Sequence, residues 1–448
     1  MRWLLSITLL FLLATEVFHW DLTYAAGLSA KNAVLYLLIV FLLLRLVVTR
    51  TGSFEARPLY AAWGVLIGYA ILTWIAAGLL VGYERYDLVE SGIRLKSGLI
   101  DHFIFFLVFF LGTRTEGDAV GIVRALLFGS VLANLAQIAD VTGVVDFGYV
   151  EREDGRVQGA LGESNQYAAY IILTLPAIIA TAIATRGVRR LFWVGGTLVT
   201  AVALMMTASR GALVGALVAG VVGAYLYRHY WSLGRLTGWI IGGLTLLVIL
   251  SIVSQSDELL AERVLTQTGS IDLSDVSSGR SEIWSAAIEK MISTPITLLT
   301  GFGWNVYWSF PFRYSPHNHY LSLWFNLGLV GLITGTFVLY YVIRRARLAS
   351  ERAVPPARGL LIGYVIGAIA LCVAIFFVDL HQPWPYFWVF SGLILRLALL
   401  VHAEQTAAAP AQIPAAAAPL TPGAAVPGRI RDAHGWVARP GSTRATHT

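Results

Sequence analysis

The feature that most constrains this chain is a series of apolar runs, most of them close to the roughly 20 residues that a helix needs to cross a bilayer. We identify twelve such runs. They lie near 3–19, 33–49, 59–82, 99–113, 119–141, 161–184, 191–208, 211–227, 236–253, 320–343, 360–378 and 385–402. Because unpaired backbone groups are costly in hydrocarbon, runs of this kind must be helical. The sequence therefore predicts an all-α polytopic membrane protein with about twelve transmembrane helices.

Composition agrees with a membrane protein. Hydrophobic residues make up 57% of the 448 residues and charged residues only 13%, against about 25% charged in soluble domains. These values exclude a soluble globular enzyme, a disordered protein and a nucleic-acid-binding module, and they imply no nucleic-acid partner. The only cysteine, Cys372, excludes an intrachain disulfide and any multi-cysteine metal site.

Basic residues in short loops predict the orientation. The first apolar run resembles a signal peptide but has no clear small-x-small cleavage site, so we expect it to be the first span. Arginines are concentrated in alternate short loops, at 45, 50, 57, 186, 189, 190, 228, 235, 344, 345, 347, 352 and 358. The positive-inside rule then places both termini in the cytoplasm. One large loop, residues 254–319, is expected outside, in the periplasm of a Gram-negative bacterium.

The predicted organisation has three parts. Residues 1–402 form the transmembrane domain, the loop 254–319 lies within it and carries short helices, and residues 403–448 form a cytoplasmic tail. The tail is rich in alanine and proline and is expected to be disordered. No internal repeat and no pair of matching interrupted helices is found, which disfavours a transporter built from inverted halves.

Two arginines stand out by position. Arg210 lies between two apolar runs, and no acidic residue is near it in sequence. Snorkelling to the interface is one interpretation, and a functional intramembrane charge is the other. Arg280 falls in the first turn of a predicted helix that ends near Thr294-Pro295. A cation there opposes the helix dipole, so its presence favours a bound anion.

The helix that begins near Arg280 has one apolar face. This face is expected to lie along the membrane surface, and it comprises Ile283, Trp284, Ala287, Ile288 and Met291. Farther along the loop, His317 and His319 precede the tenth span. Two histidines are too few for a zinc site without further ligands. A general base near neutral pH is the better chemical interpretation, and a histidine that only hydrogen-bonds at a helix start remains the alternative.

Five motifs, in this order, resemble those of the O-antigen ligase/polymerase family. They span residues 200–335 and are Ser209-Arg210-Gly211, Ser278-Gly279-Arg280 with Trp284, Gly301-x-Gly303, His317-Asn318-His319-Tyr320-Leu321 and Gly328-x-x-Gly331. The resemblance implies a GT-C-like membrane glycosyltransferase of the inner membrane that inverts configuration and needs no metal or cofactor. It also implies a glycan donor carried on undecaprenyl diphosphate, with a periplasmic active site.

The resemblance also implies roles for individual residues. Arg210 and Arg280 would stabilise the leaving diphosphate. The family pattern His-Asn-x-Tyr-Leu makes His317 the base, but His319 leaves that assignment open. Further substrate contacts are assigned to Arg94, Lys96, Arg152, Arg156, Trp284 and Asn318. For the four basic residues, a plain solvated loop charge is the alternative. Whether Asp101-His102 and Asp379 with His381 belong to the site stays open.

The acceptor distinguishes the candidate functions. An O-antigen ligase transfers the glycan to a sugar hydroxyl of lipid A–core, and a polymerase transfers it to another lipid-linked glycan. A protein O-oligosaccharyltransferase uses a serine. We favour ligation because the predicted outer face has one large loop and no folded domain for docking a protein. A non-enzymatic flippase is disfavoured, because most charges lie at the ends of the spans rather than deep within them.

Overall fold

A computed structural model describes residues 1–20, 22–25, 27–49, 56–149, 157–230, 280–311, 315–379 and 384–408. The described residues are mostly helical (81%) with little sheet, which confirms the predicted all-α membrane class. Residues Met1–Gln405 form one compact unit. The predicted disordered tail and the predicted span 236–253 lie outside the described residues.

Fourteen α-helices are present in the described parts of the chain. They are α1 Arg2–Val17, α2 Ala30–Thr49, α3 Arg57–Ile75, α4 Leu88–Leu95, α5 Asp101–Gly112, α6 Glu116–Val141, α7 Ser164–Ala184, α8 Val188–Met206, α9 Arg210–Leu226, α10 Arg280–Ser293, α11 Ile296–Thr300, α12 His319–Ser350, α13 Ala357–Ala374 and α14 Trp384–Ala408. A short antiparallel hairpin, β1 Thr23–Ala25 and β2 Leu28–Ser29, joins α1 to α2.

Nine helical stretches within the described residues are long and apolar enough to cross a membrane. The first and eighth predicted spans correspond to shorter helices, α1 with 16 residues and α9 with 17. The separation of the seventh and eighth spans at Ser209-Arg210 is confirmed, since α8 ends at Met206 and α9 begins at Arg210. The fourth span is longer than predicted, because a π-helical segment, Lys96–Ile100, joins α4 to α5.

Helix α13 is the centre of the bundle and runs antiparallel to α7 and α9. Its Gly367 lies against the backbone of Leu173 in α7, and Ala370 lies against Gly215 in α9. Small residues at such contacts let transmembrane helices approach closely, and the resulting van der Waals packing is one source of attraction between helices in lipid. The antiparallel packing brings the N-terminal ends of α7 and α9 to the C-terminal end of α13.

Helix α12 is interrupted, although the sequence predicts residues 320–343 as a single continuous span. The break falls at Gly328, whose backbone (φ 59°, ψ −159°) is not helical. The half-helix before the break begins at His319, with Asn318 as its N-cap. The orientation predicted from loop charges is not tested by this architecture and stays a prediction.

Candidate active site

Three helix N-termini meet at the C-terminal end of α13. Gly211, in the first turn of α9, lies against Phe377. The backbone N–H of His319, the first residue of α12, donates to the carbonyl of Ile375 at 2.9 Å. The start of α7 is joined to the start of α9 by a 3.0 Å hydrogen bond from Ser209 Oγ to Asn165 Oδ1. Helix N-termini present unpaired N–H groups and partial positive charge, so this junction favours an anion.

Arg210 and Arg280 belong to one cluster of charges at this junction. Burial lowers the pKa of Arg280, the nearby carboxylate of Glu163 raises that pKa, and the positive charge of Arg210 lowers it. Glu163 also accepts a 3.0 Å hydrogen bond from Asn165 Nδ2. The structure therefore brings together two arginines that are 70 residues apart in sequence, with one carboxylate beside them.

Helix α10 carries Arg280 to the segment that contains the histidines. The indole N–H of Trp284 donates to the carbonyl of Pro316 at 2.5 Å. Arg280 and Trp284 are four residues apart and share a face of α10. This bond places Arg280 one helical turn from the point where α10 contacts the residue before His317.

His317 and His319 are in different surroundings. His317 is exposed, and its backbone is in the left-handed region (φ 48°), a strained conformation for a non-glycine residue that is concentrated at functional sites. His319 is partly buried, and its ring lies 5.0 Å from that of Trp384. Asn318 accepts a hydrogen bond from the N–H of Leu321 at 3.1 Å and so caps α12, and its predicted contact with substrate stays a prediction.

His319 lines a cavity of about 660 Å³. The cavity is bounded by polar and aromatic side chains from both halves of the chain, among them Glu16, Lys31, Arg94, Asp101, His102, Trp304, Trp308, Ser315, Ser322, Asn326, Asp379 and Trp384. This mixture of carboxylates, amides, hydroxyls and indole rings is suited to a polyhydroxylated ligand. Arg210, Arg280 and His317 are not among the residues that line this cavity. The link to the arginines is the histidine segment, because His319 lines the cavity and Pro316, three residues earlier, contacts Trp284 of α10.

Asp379 holds the histidine segment in place. Its Oδ2 accepts hydrogen bonds from the hydroxyls of Ser315 and Ser322, the latter at 2.7 Å. The carboxyl group is buried, and Oδ1 has no hydrogen-bond partner among the described residues. Ser315 and Ser322 flank the two histidines, so one carboxylate fixes both ends of that segment. His381, which the sequence pairs with Asp379, lies outside the described residues.

The glycine motifs have a structural explanation. At the break in α12 the carbonyls of Phe325 and Asn326 are released from the helix and accept hydrogen bonds from the N–H groups of Phe302 and Gly303, both at 2.9 Å. The backbone of residues 299–301 lies against Gly328. A Cβ on Gly328 would be 2.2 Å from the carbonyl oxygen of Leu299 and 2.5 Å from the nitrogen of Gly301. Gly301 and Gly328 both have positive φ, at 74° and 59°. These glycines let residues 299–303 pair with the broken helix.

Tyrosine hydroxyls fix the same turn from the other side. Tyr83 donates to the carbonyl of Phe302 at 2.9 Å, and Tyr86 donates to that of Trp304 at 2.7 Å. Burial raises the pKa of both hydroxyl groups, so both remain protonated donors at neutral pH. The turn that carries Trp304 into the cavity wall is therefore held at several points.

The structure corrects part of the prediction that the apolar face of α10 lies along the membrane surface. Ala287 and Met291 are almost fully buried in a cluster with Phe302, Tyr307 and Phe325, so they face the protein core and not the membrane surface. Ile288, at 41% exposed, lies outside this contact. The predicted extent of the helix is confirmed, since α10 ends at Ser293.

The remaining predicted contacts are basic residues. Arg94 lines the cavity and pairs with Glu90 at 2.8 Å, and Lys96 pairs with Asp101 at 2.8 Å. Both cations thus have a carboxylate partner within the protein. Their role in substrate binding stays a prediction, and Arg152 and Arg156 lie outside the described residues.

Sequence reasoning missed Glu163 and Asn165. They belong to a polar group, Glu163-Ser164-Asn165-Gln166, at the start of an apolar run. Polar residues at that position are common in membrane helices, so only the contact with Ser209 and the effect on Arg280 single them out. Among the described residues, no three His, Cys, Asp or Glu side chains form a group that could hold a metal. Metal independence stays a prediction.

The sequence around this junction matches a known protein family. A family model described as O-antigen ligase matches residues 195–334. This part of the chain is similar to the O-antigen ligase family. The match spans Arg210, Arg280 and both histidines, and it confirms the resemblance given by the motifs. A search of curated proteins gives no match.

The coarse biochemical class follows from the family. The match supports glycosyl transfer of the O-antigen ligase or polymerase type. Together with the apolar helices it supports a multi-pass membrane protein that acts on lipid-linked glycans and lipid acceptors.

Proposed function

We propose that the protein is an O-antigen ligase of the bacterial inner membrane, with both termini in the cytoplasm and the site facing the periplasm. It transfers a glycan from undecaprenyl diphosphate to a sugar hydroxyl of lipid A–core. The observation that carries the proposal is that Arg210 and Arg280 are close enough for their charges to interact at the junction of three helix N-termini, beside the histidine segment. Two guanidinium groups provide the positive charge that a departing diphosphate requires.

The proposed chemistry is a single displacement. The acceptor oxygen attacks the anomeric carbon, the bond from that carbon to the diphosphate oxygen breaks, and its electron pair leaves with the diphosphate. Attack opposite the leaving group inverts the configuration. Arg210 and Arg280 stabilise the negative charge that develops on the leaving diphosphate, as cations placed at the site of charge development do in other enzymes.

A histidine accepts the proton of the acceptor hydroxyl. The family motif points to His317, while the cavity wall contains His319. An acceptor bound in the cavity meets His319, whereas one that approaches along the exposed side meets His317. The two histidines therefore make different predictions about which variant loses activity.

The cavity supports a sugar acceptor. Trp304, Asn326 and Asp379 each line it, and each retains a buried polar atom without a hydrogen-bond partner in the described structure. Such atoms cost about 1–3 kcal/mol each when left unsatisfied, and sugar hydroxyls both donate and accept. Indole rings also offer flat apolar faces to the C–H side of a sugar ring. A polymerase would use the same arginines and remains the second candidate, since its acceptor is also a sugar.

Reconstituted transfer tests the proposal. Purified protein, undecaprenyl-diphosphate-linked glycan and lipid A–core are combined, and product is measured for Arg280→Ala, His317→Ala and His319→Ala. We expect Arg280→Ala and one histidine variant to lose at least about 100-fold in turnover, while Arg344→Ala, an exposed arginine at the far end of α12, keeps full activity. Full turnover in Arg280→Ala would remove the proposed diphosphate contact. Inhibition by EDTA that added metal reverses would refute metal independence.

A deletion strain separates ligase from polymerase. Loss of a ligase leaves bare lipid A–core and accumulates polymerised lipid-linked chains. Loss of a polymerase leaves core that carries a single repeat unit. Bare core is the result that our proposal predicts, and core with one unit would move the assignment to the polymerase.

A further inference from the structure

A second pocket lies at the opposite end of the bundle from the candidate active site. Helix α1 runs from Arg2 to its C-terminal end, where Glu16 lines the active-site cavity. Helix α2 has 20 residues, about 30 Å of helix and close to the thickness of a bilayer core. The far ends of these helices therefore reach the other membrane face. Residues at these helix ends line a pocket of about 610 Å³ that is open to the surface.

Positive charge dominates this pocket. Three arginines line it, Arg2, Arg45 and Arg114, against one acidic residue, Asp118. The three arginines come from separate segments: the start of α1, the last part of α2 and the connection between α5 and α6. The fold, not a local run of basic sequence, brings these charges together.

More positive charge lies behind the pocket wall. The guanidinium of Arg2 lies against Gly121 in α6. Arg124, one turn farther along α6, is close enough to Arg2 and Arg189 to be repelled by both, and its buried Nε has no hydrogen-bond partner in the described structure. Like charges at this spacing disfavour one another, so an anion bound among them would relieve the repulsion.

The pocket also has an apolar side that faces the lipid. Trp3 and Phe41 line it and are 75% and 53% exposed. The exposed faces of α1 and α2 continue away from it through Ile7, at 61%, and Leu44, at 62%. A water-soluble anion would leave these surfaces unused, whereas the acyl chains of a lipid would cover them.

We propose that this pocket binds the phosphate headgroup of an anionic phospholipid, with its acyl chains against Trp3 and Phe41. Guanidinium forks match phosphate oxygens in bidentate geometry, and basic pockets between transmembrane helices are suited to such headgroups. The site does not depend on the proposed transferase activity, since it lies at the other end of the bundle. It would anchor α1, α2 and the α5–α6 connection to one lipid molecule.

Lipid titration of the purified full-length chain tests the proposal. The protein in detergent is titrated with phosphatidylglycerol, with phosphatidylcholine and with inorganic phosphate, and the unfolding temperature gives the apparent dissociation constant. We expect phosphatidylglycerol to stabilise the protein and the other two to have little effect. An equal effect of phosphatidylcholine would refute the requirement for net negative charge. An equal effect of inorganic phosphate would refute a lipid as the ligand.

Matched variants locate the effect. Replacing Arg45 and Arg114 with glutamine is expected to weaken phosphatidylglycerol binding about 30-fold, which corresponds to about 2 kcal/mol. The control replaces Arg344 and Arg347, exposed arginines near the end of α12 outside the pocket, and should bind like the wild type. If the double variant does not fold, Arg114→Gln alone, at an exposed position, should weaken binding about 5-fold. Equal losses in pocket and control variants, or no loss in the pocket variants, would overturn the proposal.

Discussion

Replacing Gly328 with alanine tests how the fold presents the histidine segment. Gly328 has a backbone conformation, φ 59° and ψ −159°, that residues with a side chain rarely adopt. An added Cβ would lie 2.2 Å from the carbonyl oxygen of Leu299 and 2.5 Å from the nitrogen of Gly301. Both neighbours are backbone atoms, so no side chain can rotate away, and the paired segments must separate.

The expected cost has two parts. Backbone strain in such a conformation is about 1–3 kcal/mol. Separation of the segments breaks the two hydrogen bonds from Phe302 and Gly303 to the interrupted helix, each contributing about 1 kcal/mol. Together these effects predict a loss of roughly 3–5 kcal/mol in stability around the turn. Because the half-helix before the break begins at His319, transfer activity should fall with it.

The assay compares thermal unfolding and transfer activity with those of a matched variant. Gly64 lies in α3 with open space around its Cβ position, so Gly64→Ala should be neutral or stabilising by up to about 1 kcal/mol, since alanine is the better helix former. We expect Gly328→Ala to unfold at a clearly lower temperature than both wild type and this control. If the two glycine variants behaved alike, the pairing of the turn with the broken helix would not be the stabilising contact described.

Three further predictions concern the arginine cluster. Arg280→Lys keeps the charge but loses the bidentate fork, so the turnover number in reconstituted transfer should fall about 100-fold; a wild-type value would contradict a diphosphate contact. Glu163 is close enough to Arg280 to interact with its charge, so Glu163→Gln, which removes the carboxylate, should lower the turnover number, while Glu163→Asp, which keeps the charge, should not; equal turnover numbers for the two variants would refute this electrostatic link. Trp284→Phe removes the hydrogen bond to Pro316 and should lower the turnover number more than it changes KM, whereas a change in KM alone would make Trp284 a substrate contact.

Much of the fold could be predicted because lipid imposes simple rules on sequence. The lengths of the apolar runs predicted the spans. The charge of Arg210 predicted the break between α8 and α9, and Pro295 predicted the end of α10. The interruption at Gly328 could not be predicted in this way. Its neighbours are apolar, so the run appears continuous in sequence, and only the approach of residues 299–303 makes the glycine necessary.

The candidate site was predicted in part, for a physical reason. Arg210 and Arg280 are unusual against their local sequence, one between apolar helices and one in a helix first turn. Glu163 and Asp379 are ordinary polar residues near span ends, and their importance lies in partners far along the chain. Likewise, the burial of Met291 depends on contact with the turn at Phe302, which amphipathic spacing alone does not reveal.

The central claim is that Arg210 and Arg280 act together on one departing diphosphate. A double-mutant cycle on the turnover number, with Arg210→Lys, Arg280→Lys and the double variant, tests it most directly. If both arginines stabilise the same group, each single variant should lose most of the rate, and the double variant should lose far less than the product of the two losses. Losses that simply multiply would show two independent roles and would contradict the account.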